Sequence, residues 1–136
     1  MRVATVFFPA RRRDRLSAVA QGLARGIEMQ GHQVDLIEAR RDSDVKLSAY
    51  QYIAIGAEQT GLFGGKIPPH VTEFLQQAGA VSGKKSFAFL LPGPVASTKA
   101  LANLMRAMEH EGMFIRFSEV VKSAGEAETV GKSLQI

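Results

Sequence analysis

Apolar residues along the chain fall into two alternating patterns, short unbroken runs and longer stripes at helical spacing. Val3 to Phe8 is a compact run of β-formers, suited to a strand covered on both faces. Leu16, Val19, Ala20, Leu23 and Ile27 then recur every three or four residues, which predicts an amphipathic helix stopping near Gly31. Val34 to Ile37 predicts a second strand, and Ser43 to Ala49 has room for a single turn. Tyr52 to Ile55 predicts a third strand, closed by Gly56. Pro68-Pro69 opens a helix carrying Val71, Phe74, Leu75 and Ala78, with proline well placed in its first turn. Ser86 to Leu91 is a fourth strand, ended by Pro92-Gly93-Pro94. Ser97 or Thr98 is the expected cap of a helix bearing Leu101, Leu104, Met105 and Met108. Phe114 to Val121 is the fifth strand. Glu126 to Leu134 closes the chain as a short helix that Gly131 is expected to weaken.

Five strands interleaved with helices imply one α/β domain over residues 1–136, a parallel sheet with right-handed crossovers and helices on both faces. A common order for five such strands is 2-1-3-4-5, which places ligands at the carboxyl ends of strands 1, 3 and 4. A receiver-type domain would need acidic residues after strand 1 and a phospho-acceptor Asp ending strand 3. Gly56-Ala57 stands there instead.

Composition excludes several chemistries. Without cysteine there is no disulfide, thiolate nucleophile or thiolate metal site. His32, His70 and His110 are far apart and lack metal-type partners at helical spacing. His70 is expected in an exposed first turn, and Met29, Met105, Met108 and Met113 as core or helix-edge filling. No segment has the roughly 18 uncharged apolar residues of a membrane span, and the N-terminal run lacks the features of a signal peptide, so the expected location is the cytoplasm. Most aromatics fall in inferred core strands, which argues against a nucleic-acid stacking surface.

Charge sharpens one place. The net charge is +4, and residues 1–41 hold eight arginines, no lysine and four acids. Arg11, Arg12, Arg13 and Arg15 lie in and just after the first strand–helix loop, and Arg40-Arg41 follows strand 2. In a 2-1-3-4-5 sheet the two clusters share an edge. That corner is either a solvated basic loop or a site for a phosphorylated ligand or an acidic protein surface. Asp14, placed just before the helix, is expected to accept first-turn N–H groups and so fill the helix end itself.

The stretch from residue 50 to 91 resembles the flavodoxin family and, loosely, the FMN-dependent quinone reductases. It carries an apolar pair and glycine ending strand 3 (Ala54-Ile55-Gly56), Phe63-Gly64 in the next loop, and Pro68-Pro69 opening a helix with Phe74-Leu75. Gly83-Lys84 then leads into strand 4. The resemblance implies a flavodoxin-like fold and FMN-dependent electron transfer or reductase-type chemistry. It places the phosphate near Arg11, Arg12, Arg13, Asp14 and Arg15, and one wall of the flavin site at Gly56, Ala57, Glu58, Gly61, Phe63 and Gly64. The opposite wall falls at Pro92-Gly93. The family's phosphate loop is rich in hydroxyls and glycine. Here Asp14 stands at its glycine, and no hydroxyl comes before Ser17. Phe63 reads either as a packed loop anchor or as an aromatic contacting flavin or partner. Beside the flavin reading stands a flavin-free binding or regulatory module that uses the arginine corner. A basic member of this family implies an acidic protein partner, redox or regulatory, and self-association stays open.

Overall fold

The computed structural model describes all 136 residues as one five-stranded parallel sheet of order β2-β1-β3-β4-β5. Its strands are β1 (Arg2–Phe8), β2 (Gln33–Glu38), β3 (Tyr52–Glu58), β4 (Lys85–Leu91) and β5 (Phe114–Val120). The helices are α1 (Arg13–Glu28), α2 (His70–Gln77), α3 (Ser97–His110) and α4 (Ala124–Ser133), with a single 3-10 turn at Leu47–Ala49. No helix is long and apolar enough to cross a membrane.

The central strands are apolar over most of their length because both their faces are covered. Ala4, Val6 and Phe8 of β1 face α2 and α3, together with Ile53, Ile55, Ala88 and Leu90. Val3 and Phe7, with Tyr52, Ala54, Phe87 and Phe89, face α1 and α4. Successive strand residues point to opposite faces, so one unbroken apolar run serves two cores. On the first face the rings of Phe8 and Phe74 meet edge to face, 5.3 Å apart. Such a pair adds about 0.5–1.5 kcal/mol beyond the area it buries.

Glycine shapes the second face. A Cβ on Gly26 would strike the backbone of α4, and one on Gly131 would strike the backbone of α1. These two residues let α1 and α4 meet backbone to backbone. Gly131 is therefore a close-approach residue, and the expectation that it merely weakens α4 is corrected.

Strand β3 runs three residues beyond its expected end, because Gly56 is not a terminator there. A Cβ at Gly56 would overlap the Phe89 ring, so this glycine is the slot into which the neighbouring strand's phenylalanine packs. The expected cap of α3 also differs. The N-cap is Ala96, in the left-handed region at φ 65°, and no side chain caps the helix.

Candidate functional site

The carboxyl ends of β1, β3 and β4 converge on one network centred on Glu58. This residue closes β3, and its side chain is only 3% exposed. One carboxylate oxygen accepts the backbone N–H of Ala10 at 2.7 Å and that of Arg12 at 3.0 Å; the second accepts the Arg12 N–H at 3.1 Å. Arg12 is the N-cap of α1 and offers no capping side chain of its own. The carboxylate of β3 therefore sits at the positive end of α1 and takes two of the N–H groups available to an anion there, those of Ala10 and Arg12.

Arg12 completes the arrangement with its side chain. Its Nε donates to Glu58 at 3.3 Å, Nη1 to the Pro92 carbonyl at 2.9 Å and Nη2 to the Gln59 carbonyl at 3.3 Å. A planar guanidinium can serve three acceptors in different directions because its donors form a rigid fork. Gln59, which is buried, makes a second tie. Its carbonyl oxygen accepts the Gly93 N–H at 2.8 Å, and its amide donates to the carbonyl of Val95. Three loops from three strands are thus fastened to one another.

Asp14 does not cap α1. It is the second residue of the helix, its side chain is fully exposed, and its nearest charge is Arg13 at 3.7 Å. An N-terminal cap must precede the first helical residue for its oxygen to reach back to the free N–H groups. The acid that does serve the helix end is Glu58, which takes the Arg12 N–H and whose position is set by β3.

The arginine corner is neutralised in part. Arg13 grips Glu38 at the end of β2 with two bonds of 2.8 and 2.6 Å, and Arg41 lies 3.9 Å from the same carboxylate and 3.2 Å from Asp42. The bonds from Arg13 hold the Glu38 carboxyl below its ordinary pKa. Arg15 reaches only the Lys122 carbonyl, at 3.4 Å. Arg11, Arg15 and Arg40 are exposed and carry no ion pair, so they supply the free positive charge of this corner.

A cleft of about 730 Å³ opens beside this network, between the loops after β1, β3 and β4. Arg11, Gly61, Leu62, Pro92, Gly93 and Pro94 contribute to its lining. The loop after β3 is pinned at its base, where the Thr60 N–H donates to the Lys66 carbonyl at 2.8 Å and Asn103 donates to the Gly65 carbonyl at 2.8 Å. Gly61 supports the turn with φ 71°, and Gly64 meets only the Lys66 side chain. At the tip Leu62 is 61% and Phe63 79% exposed, with Val95 of the facing loop 46% exposed. Phe63 is not a packed anchor. Gly56 and Ala57 lie within β3 and are buried, so neither lines the cleft.

His70 departs from its expected exposed setting. Both ring nitrogens are buried without a hydrogen-bond partner, and the ring lies 5.5 Å from that of Phe8. Burial, and secondarily the charge of Arg40, lower its pKa. No group of three or more acidic or histidine side chains is arranged to hold a metal.

The architecture is that of the flavodoxins. Flavodoxin 1 from Bacillus cereus superposes with a TM-score of 0.77 at 16% identity, covering 99% of this chain and 100% of its own. A short-chain flavodoxin associated with a bacterial microcompartment gives 0.73 at 12% identity over 97% and 95% of the two chains. The flavodoxin of Megasphaera elsdenii gives 0.70 at 18% identity over 96% of each. In sequence the chain matches no family model and no curated protein. The likeness is one of fold, and the site must be read from this chain's own residues.

Those residues do not fit the phosphate of FMN. Two N–H groups of the loop, those of Ala10 and Arg12, are already bonded to Glu58, and the buried carboxylate would repel a second anion in the same place.

Proposed function

We propose that the chain is a flavodoxin-like binding module that works without FMN, its phosphate position being filled by Glu58. The observation that carries this reading is the set of bonds from the Ala10 and Arg12 N–H groups to one buried carboxylate. Internal filling gives the loop the negative charge it needs with no ligand present. The cross-ties of Arg12 and Gln59 hold the rim in a single arrangement, which suits a preformed recognition surface. The partner we assign to this rim is an acidic protein surface. Leu62, Phe63 and Val95 supply the apolar contact, and Arg11 and Lys66 supply the charge.

One observation favours a flavin reading: the cleft of about 730 Å³, lined in part by the loop whose tip carries the exposed Phe63. Its volume falls within the range of small-molecule sites, roughly 300–1,000 Å³. FMN bound there would have to displace Glu58 or leave its phosphate outside the loop. In that case the flavin would supply the redox chemistry, and the chain would contribute the two loop walls.

The two readings separate on the purified protein. The expected result is no visible flavin absorbance and no quenching of FMN fluorescence on titration. Flavin that copurifies, or stoichiometric quenching, would overturn the FMN-free reading.

A further inference from the structure

The opposite end of the sheet carries a separate constellation. Tyr52, the first residue of β3, is 1% exposed, and its hydroxyl has no hydrogen-bond partner. An unpaired buried hydroxyl costs on the order of 1–3 kcal/mol, so such a group commonly has a use. Burial pushes its pKa up to about 12, so the hydroxyl stays protonated even in alkaline solution. A cleft of about 250 Å³ adjoins it, walled by Arg116, Phe117, Ser133, Leu134 and Gln135.

The strand pairing explains how Arg116 comes to be there. Ser86 pairs with Ile115 but Phe87 pairs with Phe117, so Arg116 is the extra residue of a β-bulge. Regular alternation would send Arg116 and Phe117 to opposite faces, whereas a bulge re-aims a side chain. Both line the same cleft. Arg116 makes no ion pair or hydrogen bond, and its guanidinium lies 5.5 Å from the Phe114 ring centre. Phe117 is 47% exposed and stacks at 5.7 Å on Phe87, which stacks at 5.7 Å on Phe89. The ladder thus has one open ring at its outer end. Lys85, in an adjoining depression that also touches Tyr52, adds a second unpaired cation.

We infer that this cleft binds a small aromatic carboxylate, its ring on Phe117 and its carboxylate between the Arg116 guanidinium and the Tyr52 hydroxyl. The guanidinium fork matches a carboxylate in plane, and the hydroxyl supplies a donor with no other partner. The open face of Phe117 selects an aromatic ligand over a simple anion. The volume suits one ring and one carboxylate. Tyr52 lines the cleft but its hydroxyl is closed to solvent, so its contact requires a small movement of the wall.

The test is titration of the full chain with benzoate, followed by calorimetry and by amide chemical shifts of residues 115–118. Acetate and benzyl alcohol serve as controls, each lacking one half of the ligand. Saturable benzoate binding is expected, roughly tenfold tighter than either control. Arg116→Gln should weaken it about tenfold and Tyr52→Phe about threefold, each losing hydrogen bonds to a charged ligand. Arg106→Gln, exposed on α3 over the other face of the sheet, should leave it unchanged. Thermal unfolding of each variant establishes that it is folded. The inference is overturned by absence of saturation at about 20 mM benzoate, a concentration that would mean negligible affinity. Equal affinity for acetate, or unaltered binding by folded Arg116→Gln or Tyr52→Phe, would overturn it as well. None of these outcomes depends on whether FMN binds at the other end.

Discussion

Glu58 and Arg12 are joined twice, through the backbone N–H of Arg12 at 3.0 Å and through its guanidinium Nε at 3.3 Å. The first bond caps α1, and the second orients the side chain that crosses to the carbonyls of Gln59 and Pro92. One carboxylate therefore serves both as helix cap and as anchor for the loops after β3 and β4.

Replacing it should expose an anion site. Glu58→Ala is expected to lose about 2–3 kcal/mol, the usual scale for hydrogen bonds to a charged group, reduced because Arg12 is partly exposed. Inorganic phosphate should then raise the unfolding temperature of Glu58→Ala above its value in chloride at equal ionic strength, with little effect on the parent chain. Glu58→Gln, which keeps an acceptor, should lose less and respond less. If parent and Glu58→Ala respond to phosphate alike, the carboxylate does not stand in for an anion.

The elements were legible in sequence because each strand and helix declares itself in its own periodicity. The alternation implies a parallel sheet, and 2-1-3-4-5 is a common order for five such strands and the one observed. The site was less legible, because its decisive contacts span 46 and 48 residues and leave no local mark. Glu58 reads as a loop residue when Gly56 is taken to end β3. Only the ring of Phe89, 33 residues further on, explains why a glycine stands inside that strand. Asp14 has the residue type of a cap but lies two residues past the capping position, which Arg12 holds. The signal that could have found Glu58 is an acid closing an apolar strand in a chain whose first loop lacks hydroxyls. Gln59 gives no such signal, since its role depends on where Gly93 and Val95 fall.

The α1–α4 contact gives a prediction with its own control. Gly131→Ala and Gly26→Ala would each drive a Cβ into the facing helix backbone, which cannot yield as a flexible side chain can. Each should cost about 2 kcal/mol or more, the scale of an overpacked core. Gly125→Ala, also in α4, meets nothing nearer than the Ser123 hydroxyl at 4.0 Å, so it should be neutral or stabilising by up to about 1 kcal/mol. Urea unfolding midpoints decide. Equal effects at residues 125 and 131 would mean that close approach is not what Gly131 provides.

Ala96 holds a left-handed conformation at φ 65° and ψ 28°. For a residue with a Cβ that conformation costs roughly 1–2 kcal/mol, part of which glycine regains while losing unfolded-state entropy. Ala96→Gly is therefore expected to stabilise the chain by about 0.5–1 kcal/mol, whereas Ala102→Gly, exposed within α3, should destabilise it by about 1 kcal/mol. Opposite signs for the same substitution, read by urea unfolding, are the required outcome.

His70 makes stability depend on pH near neutrality. Burial against Phe8 lowers its pKa below the ordinary value of 6.5, with the charge of Arg40 acting in the same direction. Between the folded value and about 6.5 the unfolded chain binds the proton more readily, so stability rises with pH across that window. The contribution of neutral His70 is complete above about 6.5 and declines as pH falls, until the folded state also protonates. His70→Phe keeps a ring against Phe8 and removes the titration. Its urea midpoint should fall less than that of the parent chain between pH 7.5 and pH 5, and the His70 ring protons of the parent should titrate below 6.5. Parallel pH profiles for the two proteins would show that the buried imidazole does not couple protonation to folding.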